Sequence, residues 1–128
     1  RNQPMTQNPP ADTTLLMNLT TDDVFTAQMA LHYADRVLET GYPVTLFLNV
    51  RAVTLADGTI PQHTPGVTET SPHDRLRSLL DRGATIYACK QCSKQAGVDE
   101  GDWLDGIEPG GPDLVHLQMD PDTKVMTY

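Results

Sequence analysis

What most constrains this chain is a succession of three segments in its first half. Residues 13–19 (Thr-Thr-Leu-Leu-Met-Asn-Leu) are a short apolar run of strand type. Thr20, Thr21, Asp22 and Asp23 follow as a helix start, a hydroxyl cap with carboxylates in the first turn. Val24, Ala27, Ala30, Leu31, Ala34, Val37 and Leu38 then recur at the spacing of an amphipathic helix, which Gly41 ends. The small side chains of Ala27, Ala30 and Ala34 let that helix lie close on a sheet. Residues 43–49 are almost continuously apolar, as in a strand covered on both faces. A strand, a helix and a strand of these lengths make a right-handed parallel crossover, the hand that packs a helix back onto a twisted sheet.

A second helix–strand unit follows. Ser71 is a cap with Pro72 at the first helical position; Leu76, Leu79 and Leu80 supply the buried stripe, and Gly83 closes the helix. Residues 84–88 (Ala-Thr-Ile-Tyr-Ala) then read as a buried strand. Cys89 comes where that strand runs out, and Cys92 three residues on. Residues 93–96 read as one or two helical turns, with Gly97 as their stop. A cysteine between a strand end and a helix start meets outward-pointing N–H groups, which stabilise a thiolate, and Lys90 and Lys94 add positive charge.

The remaining stretches are less constrained. Residues 1–12, polar and proline-rich, are expected to be a disordered tail before a single α/β domain at 13–128. Asp57-Gly58, Pro61, Pro65 and Gly66 make 51–71 a long surface loop, with a short helix near 52–56 as an option. A short helix is expected within 98–104, with Trp103 and Leu104 inward, and a turn at 106–111. Residues 113–119 fit a strand or a short helix, and 123–128 a last strand.

The net charge of −8 speaks against nucleic acid or an anionic membrane surface as partner, since both are polyanions. No apolar run reaches transmembrane length. Two cysteines in C-x-x-C spacing do not make a disulfide framework, and point to redox, metal or sulfur-transfer chemistry. A zinc site needs further ligands, and His32, His63, His73 and His116 offer no close ligand pair, so no metal or other cofactor is expected. His63 and His73 flank the loop and could approach the cysteines in the fold, although isolated histidines are more often solvated or structural. His32, at the apolar edge of the first helix, is expected to pack or to lie at an interface. Asp22 and Asp23 are explained by helix-start chemistry, Trp103 by the core, and Gly110-Gly111 by a turn.

The order of these elements resembles the DsrE/DsrF-like family of sulfur-relay proteins. Three stretches carry the resemblance: Leu15 to Leu19 with Thr20-Thr-Asp-Asp and Met29-Ala-Leu-His-Tyr-Ala34; residues 41–49; and residues 79–92 with Gly97-Val98 and the terminal Lys124-Val-Met-Thr-Tyr. The resemblance implies a three-layer α/β/α fold with a central, mostly parallel sheet of flavodoxin-like topology. It implies homo-oligomers, trimers or hexamers, and sulfur donor and acceptor proteins as partners, a small carrier protein among them. It also implies that Cys89 accepts sulfane sulfur as a persulfide and passes it to an acceptor thiol, as a sulfurtransferase does. A cytoplasmic location is expected, with export after removal of a signal peptide as the alternative.

Cys92, about one helical turn from Cys89, is placed to resolve a persulfide or to form a reversible disulfide. Two other functions stay open from the residues alone. One is a thiol–disulfide switch on Cys89 and Cys92; a thioredoxin-like version ranks lower, because the flanking residues and element order differ. The other is a non-catalytic oligomeric interaction module in which both cysteines are ordinary small hydrophobes.

Overall fold

The computed structural model describes residues 13–60 and 70–128. Five strands, β1 (Thr14–Leu19), β2 (Val44–Leu48), β3 (Thr85–Ala88), β4 (Glu108–Pro109) and β5 (Thr123–Thr127), form one sheet in the order β4-β3-β2-β1-β5. Every pairing is parallel. The helices are α1 (Val24–Thr40), α2 (Pro72–Asp81), α3 (Lys90–Ala96) and α4 (Pro112–Met119). The expected three-layer architecture with a parallel sheet is what the chain adopts.

The strand order explains the layers. From β1 to β4 each connection steps the same way across the sheet, so right-handed crossovers put α1, α2 and α3 on one face. The step from β4 back to β5 runs the other way and puts α4 on the opposite face. Alternate residues of the strands, Leu15, Met17, Leu19, Leu46, Leu48 and Ile86, form the main core with Ala27, Ala30, Leu31 and Ala34 of α1 and Leu76 and Leu79 of α2. The other face is more thinly covered. Leu16 and Leu114 are buried, whereas Val125, Val115 and Met119 remain exposed.

Several local expectations change in the structure. The cap of α1 is a carboxylate rather than a hydroxyl: Asp23 Oδ2 accepts the Thr26 N–H at 2.9 Å, and those hydrogen bonds hold the Asp23 carboxyl below its ordinary value. Thr21 Oγ1 instead accepts the Asp23 N–H, and Asp22 leaves the helix to pair with Arg51 at 3.2 Å. The segment after β2 starts not as a surface loop but with the short helix that was the option near 52–56. Val50–Ala56 is a 3-10 helix with Ala52, Val53, Leu55 and Ala56 buried. Its end is pinned by Gly58 N–H to the Asp102 carbonyl and Leu104 N–H to the Ala56 carbonyl, both 2.8 Å. The tail expected at 1–12, and the part of the loop at 61–69 with His63, lie outside the described residues.

Downstream, α3 begins at Lys90, three residues earlier than the composition of 93–96 implies, because Cys89 serves as its cap. The turn expected at 106–111 contains β4, two residues long, held by parallel pairing of Glu108 with Tyr87 and Pro109 with Ala88. Residues Glu100–Asp102 form the short helix expected there, with Trp103 and Leu104 buried behind it. The ambiguous 113–119 stretch is α4, started by Pro112.

Candidate functional site

In a parallel sheet with this crossover pattern, all the strands end on one edge, and that edge is where α/β folds place their ligand sites. Here the edge is formed by Thr20 after β1, Asn49 after β2, Cys89 after β3, Gly110 after β4 and Tyr128 after β5. Hydrogen bonds run along it from residue to residue. Tyr128 N–H donates to the Asn18 carbonyl, Asn49 N–H to that of Leu19, Cys89 N–H to that of Leu48, and Gly110 N–H to that of Ala88, at 2.9, 2.9, 3.0 and 3.2 Å. The Leu48–Ala88 pairing therefore sets Asn49 beside Cys89 in register.

Cys89 is the N-cap of α3. Its backbone is extended (φ −76°, ψ 118°), and its Sγ accepts the Cys92 N–H at 3.2 Å, as a serine hydroxyl does in an ordinary cap. The helix ends at Gly97, which takes the left-handed conformation (φ 76°). Both cysteines are free thiols at intermediate exposure. The Cys92 N–H points at the Cys89 sulfur, a placement that favours negative charge there.

Cys92 sits on the first turn of α3 and turns towards β2. Its Sγ donates to Asn49 Oδ1 at 3.3 Å, and the same oxygen accepts the Val50 N–H at 3.0 Å. Hydrogen bonding to the Cys89 sulfur, then burial, push the Cys92 thiol above the ordinary cysteine value; the nearby Val50 N–H works the other way. Val50 has a left-handed backbone (φ 51°), the only non-glycine residue with positive φ among the described residues. For a β-branched residue this is a strained conformation, and it is what turns the chain from β2 into the 3-10 helix that packs on α3.

Two hollows flank α3. One, of about 390 Å3, is lined by Val50, Arg51, Cys92, Gln95 and Ala96. The other, of about 530 Å3, is lined by Lys90, Gln91, Ser93, Lys94, Gly97, Val98, Asp99 and Glu100. Cys89 lines neither; it lies at the strand end itself. Of the two lysines expected beside it, Lys90 pairs with Glu100 at 3.6 Å.

None of the described histidines is among the residues lining the two hollows beside α3. His73 is buried near the start of α2, where burial, then Arg77, hold its imidazole below the ordinary value against the opposing pull of Asp57 and Asp74. His32 and His116 are exposed. Among the described residues no group of three or more His, Cys, Asp or Glu side chains has the geometry to hold a metal ion. Asn49 is the site residue that the sequence reading passed over. Its only signal is a polar side chain closing an apolar strand, at the topological position that cysteine occupies one strand over.

A family model for DsrE/DsrF-like proteins matches residues 14–128, all five strands and four helices. The chain belongs to the DsrE/DsrF-like family. It is thus a member of a family of sulfur-relay type, the one its sequence resembles. It is 34% identical over 83 residues to an uncharacterised protein of Methanopyrus kandleri. That match covers 64% of this chain and 64% of the relative's length. The fold is shared with the crystal structure of the ychN protein from E. coli, at a TM-score of 0.72 and 21% identity, over 91% of this chain and 98% of that one. A protein of unknown function from Methanobacterium thermoautotrophicum superposes equally well, at a TM-score of 0.72 and 13% identity over 91% and 100% of the two chains. At those identities the likeness establishes the fold alone. Among the described residues no helix of this DsrE-like chain is long and apolar enough to cross a membrane.

Proposed function

We propose that this DsrE-like protein carries sulfane sulfur as a persulfide on Cys89 and transfers it to an acceptor thiol. The observation that supports this is the Cys89 sulfur at the carboxyl end of β3, capping α3 and accepting the Cys92 N–H at 3.2 Å. In the loading step the Cys89 thiolate attacks the outer sulfur of a donor persulfide. The donor's inner S–S bond breaks, and the donor thiolate departs with the electron pair. In the unloading step an acceptor thiolate attacks the outer sulfur of the Cys89 persulfide, and Cys89 departs as thiolate. Each step exchanges one S–S bond for another, so the chemistry needs a positioned thiol, a donor N–H and access.

The deciding experiment is intact mass after the reduced protein meets polysulfide, with Cys89→Ser and Cys92→Ser compared. A gain of about one sulfur mass that persists in Cys92→Ser and vanishes in Cys89→Ser is expected. Loading that survives Cys89→Ser sinks the reading. A product that has instead lost two hydrogens and requires both cysteines favours the thiol–disulfide switch, a reading supported by the placement of both sulfurs on one helical turn.

The donor and acceptor in this proposal are proteins, a small carrier protein among them, and the chain works as a homo-oligomer. Phe25, Met29 and Tyr33 lie four residues apart on α1 and are exposed by 77, 52 and 42%, an apolar stripe with the spacing of one helix face. A light-scattering mass that is a trimeric or hexameric multiple of 14.1 kDa is expected, and a monomer refutes the assembly.

A further inference from the structure

Two thiols on one helical turn create a hazard for a persulfide carrier. A persulfide on Cys89 has its own inner sulfur within reach of a second cysteine. The Cys92 sulfur can attack the Cys89 Sγ; the bond between Sγ and the outer sulfur breaks, and that sulfur leaves with the electron pair. With the Cys92 proton transferred to it, the product is hydrosulfide, and Cys89 and Cys92 are left as a disulfide. The outer sulfur is reduced to sulfide and the two cysteines share the oxidation, so no external oxidant enters. A carrier that does this loses its cargo before an acceptor arrives.

We propose that Asn49 is a positioning residue that holds Cys92 as a protonated thiol, and so keeps the persulfide from collapsing onto its neighbour. The orientation of the Asn49 amide carries the inference. Oδ1 accepts the Val50 N–H at 3.0 Å, which fixes the oxygen end of the amide at this position; the amino end would set donor against donor. The same oxygen faces Cys92 Sγ at 3.3 Å, so the sulfur must supply the hydrogen. A thiolate there would face a carbonyl oxygen with no proton between them, an unfavourable contact. Cys92 is thereby kept as the poorer nucleophile, and its proton points at Asn49 rather than at the outer sulfur that it would help to leave.

Other groups around Cys92 act on the same proton. Cys89, from the same turn, also favours the protonated form. Across the hollow, Arg51 is engaged by Asp22 at 3.2 Å. Lys90 and Lys94 line the other hollow along α3. The Val50 N–H is the influence favouring the thiolate, and Asn49 Oδ1 occupies it. Removing the Asn49 amide therefore acts twice in one direction: it deletes the acceptor for the thiol proton and releases the Val50 N–H to the sulfur. Nothing in the backbone calls for asparagine here, since φ −126° and ψ 164° suit any residue.

The inference rests on Cys89 carrying a persulfide, and the test separates the two. In a first arm, polysulfide-loaded wild type, Asn49→Ala, Asn49→Asp and Asn49→Ala/Cys92→Ser are left without acceptor, and hydrosulfide release and intact mass are followed from neutral to mildly alkaline pH. Asn49→Ala is expected to discharge roughly three- to tenfold faster at neutral pH, the size of one hydrogen bond, with its profile moved to lower pH. Its product is the disulfide form, two hydrogens lighter than the reduced chain. Asn49→Asp keeps the acceptor and stays at or below the wild-type rate, and the double variant holds its sulfur. An Asn49→Ala chain that discharges like wild type with the same pH profile overturns the proposal.

In a second arm the unloaded Cys89→Ser chain, with and without Asn49→Ala, is alkylated at Cys92 across the same pH range. A midpoint that moves down with Asn49→Ala is expected; an unmoved midpoint overturns the role of Asn49 whether or not Cys89 ever loads. Failure of loading with a moved midpoint refutes the carrier reading and leaves Asn49 as the residue that keeps Cys92 protonated. Should Asn49→Ala lose its cooperative melting transition, Asn49→Ser replaces it, its hydroxyl being too short to reach the sulfur, with the same outcomes expected.

Discussion

Strands β2 and β3 end side by side on one edge of the sheet, and the chain leaves them in different ways. After β3 the exit is relaxed. Cys89 is extended, α3 begins at the next residue, and positive φ is reached only at Gly97, where glycine takes it without a steric penalty. After β2 the exit is strained. Asn49 is extended, Val50 is forced into the left-handed region, and the chain winds into a 3-10 helix. Both strand-end residues use a side chain to accept a hydrogen bond from the helix that follows, Asn49 from Val50 N–H and Cys89 from Cys92 N–H. Cys89 thus sits on unstrained backbone, and the strain is stored in the neighbouring strand exit. Without the sharp turn at Val50, the 3-10 helix would not pack on α3.

The largest perturbation of both exits is expected from Leu48→Ala. The side chain is fully buried beneath the two strand ends, and its carbonyl accepts the Cys89 N–H at 3.0 Å. The loss should be about 2–5 kcal/mol of stability by chemical denaturation. Sulfur loading at Cys89 should fall with it in the surviving folded fraction. If loading per folded chain is unchanged, the geometry of the β3 exit does not depend on β2.

A sharper separation comes from the same substitution at both exits. Val50→Gly removes a left-handed strain of about 1–2 kcal/mol against a glycine entropy cost of about 0.5–1 kcal/mol, and the Val50 side chain is half exposed. A stabilisation of up to about 1 kcal/mol, read as a raised Tm, is expected. Lys90→Gly sits at the first position of α3 and should destabilise by up to about 1 kcal/mol, since glycine is a poor helix former and no strain is relieved there. Opposite signs sustain the contrast, and equal signs abolish it. The smallest effect belongs to Cys89→Ser. Serine is a favoured cap, so the Tm should move little while sulfur loading is lost.

Much of this was legible in the residues. The spacing from Val24 to Leu38 and the stop at Gly41 define α1, Ser71-Pro72 defines the start of α2, and the three apolar runs define β1, β2 and β3. Each is local chemistry: side-chain periodicity, a cap, a glycine free to take positive φ. The cysteine strand end was readable for the same reason. Short elements were legible only as options, such as the short helix near 52–56 and the helix or strand at 113–119, and β4 was not legible at all. The two residues of β4 exist only because Tyr87 and Ala88 offer an open strand edge, and the two turns of α4 have too few residues to show a period. The 3-10 helix after β2 showed only as the option of a short helix near 52–56, because its apolar side chains are buried against α3 and its neighbours are loop-like.

By itself, then, the sequence determined that this is a parallel α/β chain with a cysteine pair at a strand-to-helix junction, since propensity, caps and periodicity act over a few residues. Only the tertiary structure decided which side chain stands beside that pair. Asn49 is forty residues from Cys89 by subtraction of their numbers (89 − 49), and parallel register alone brings the two strand ends together. The Asn49 amide reaches Cys92 from there, and the chain leaves through a left-handed Val50, a conformation that valine does not favour and that the surrounding fold imposes.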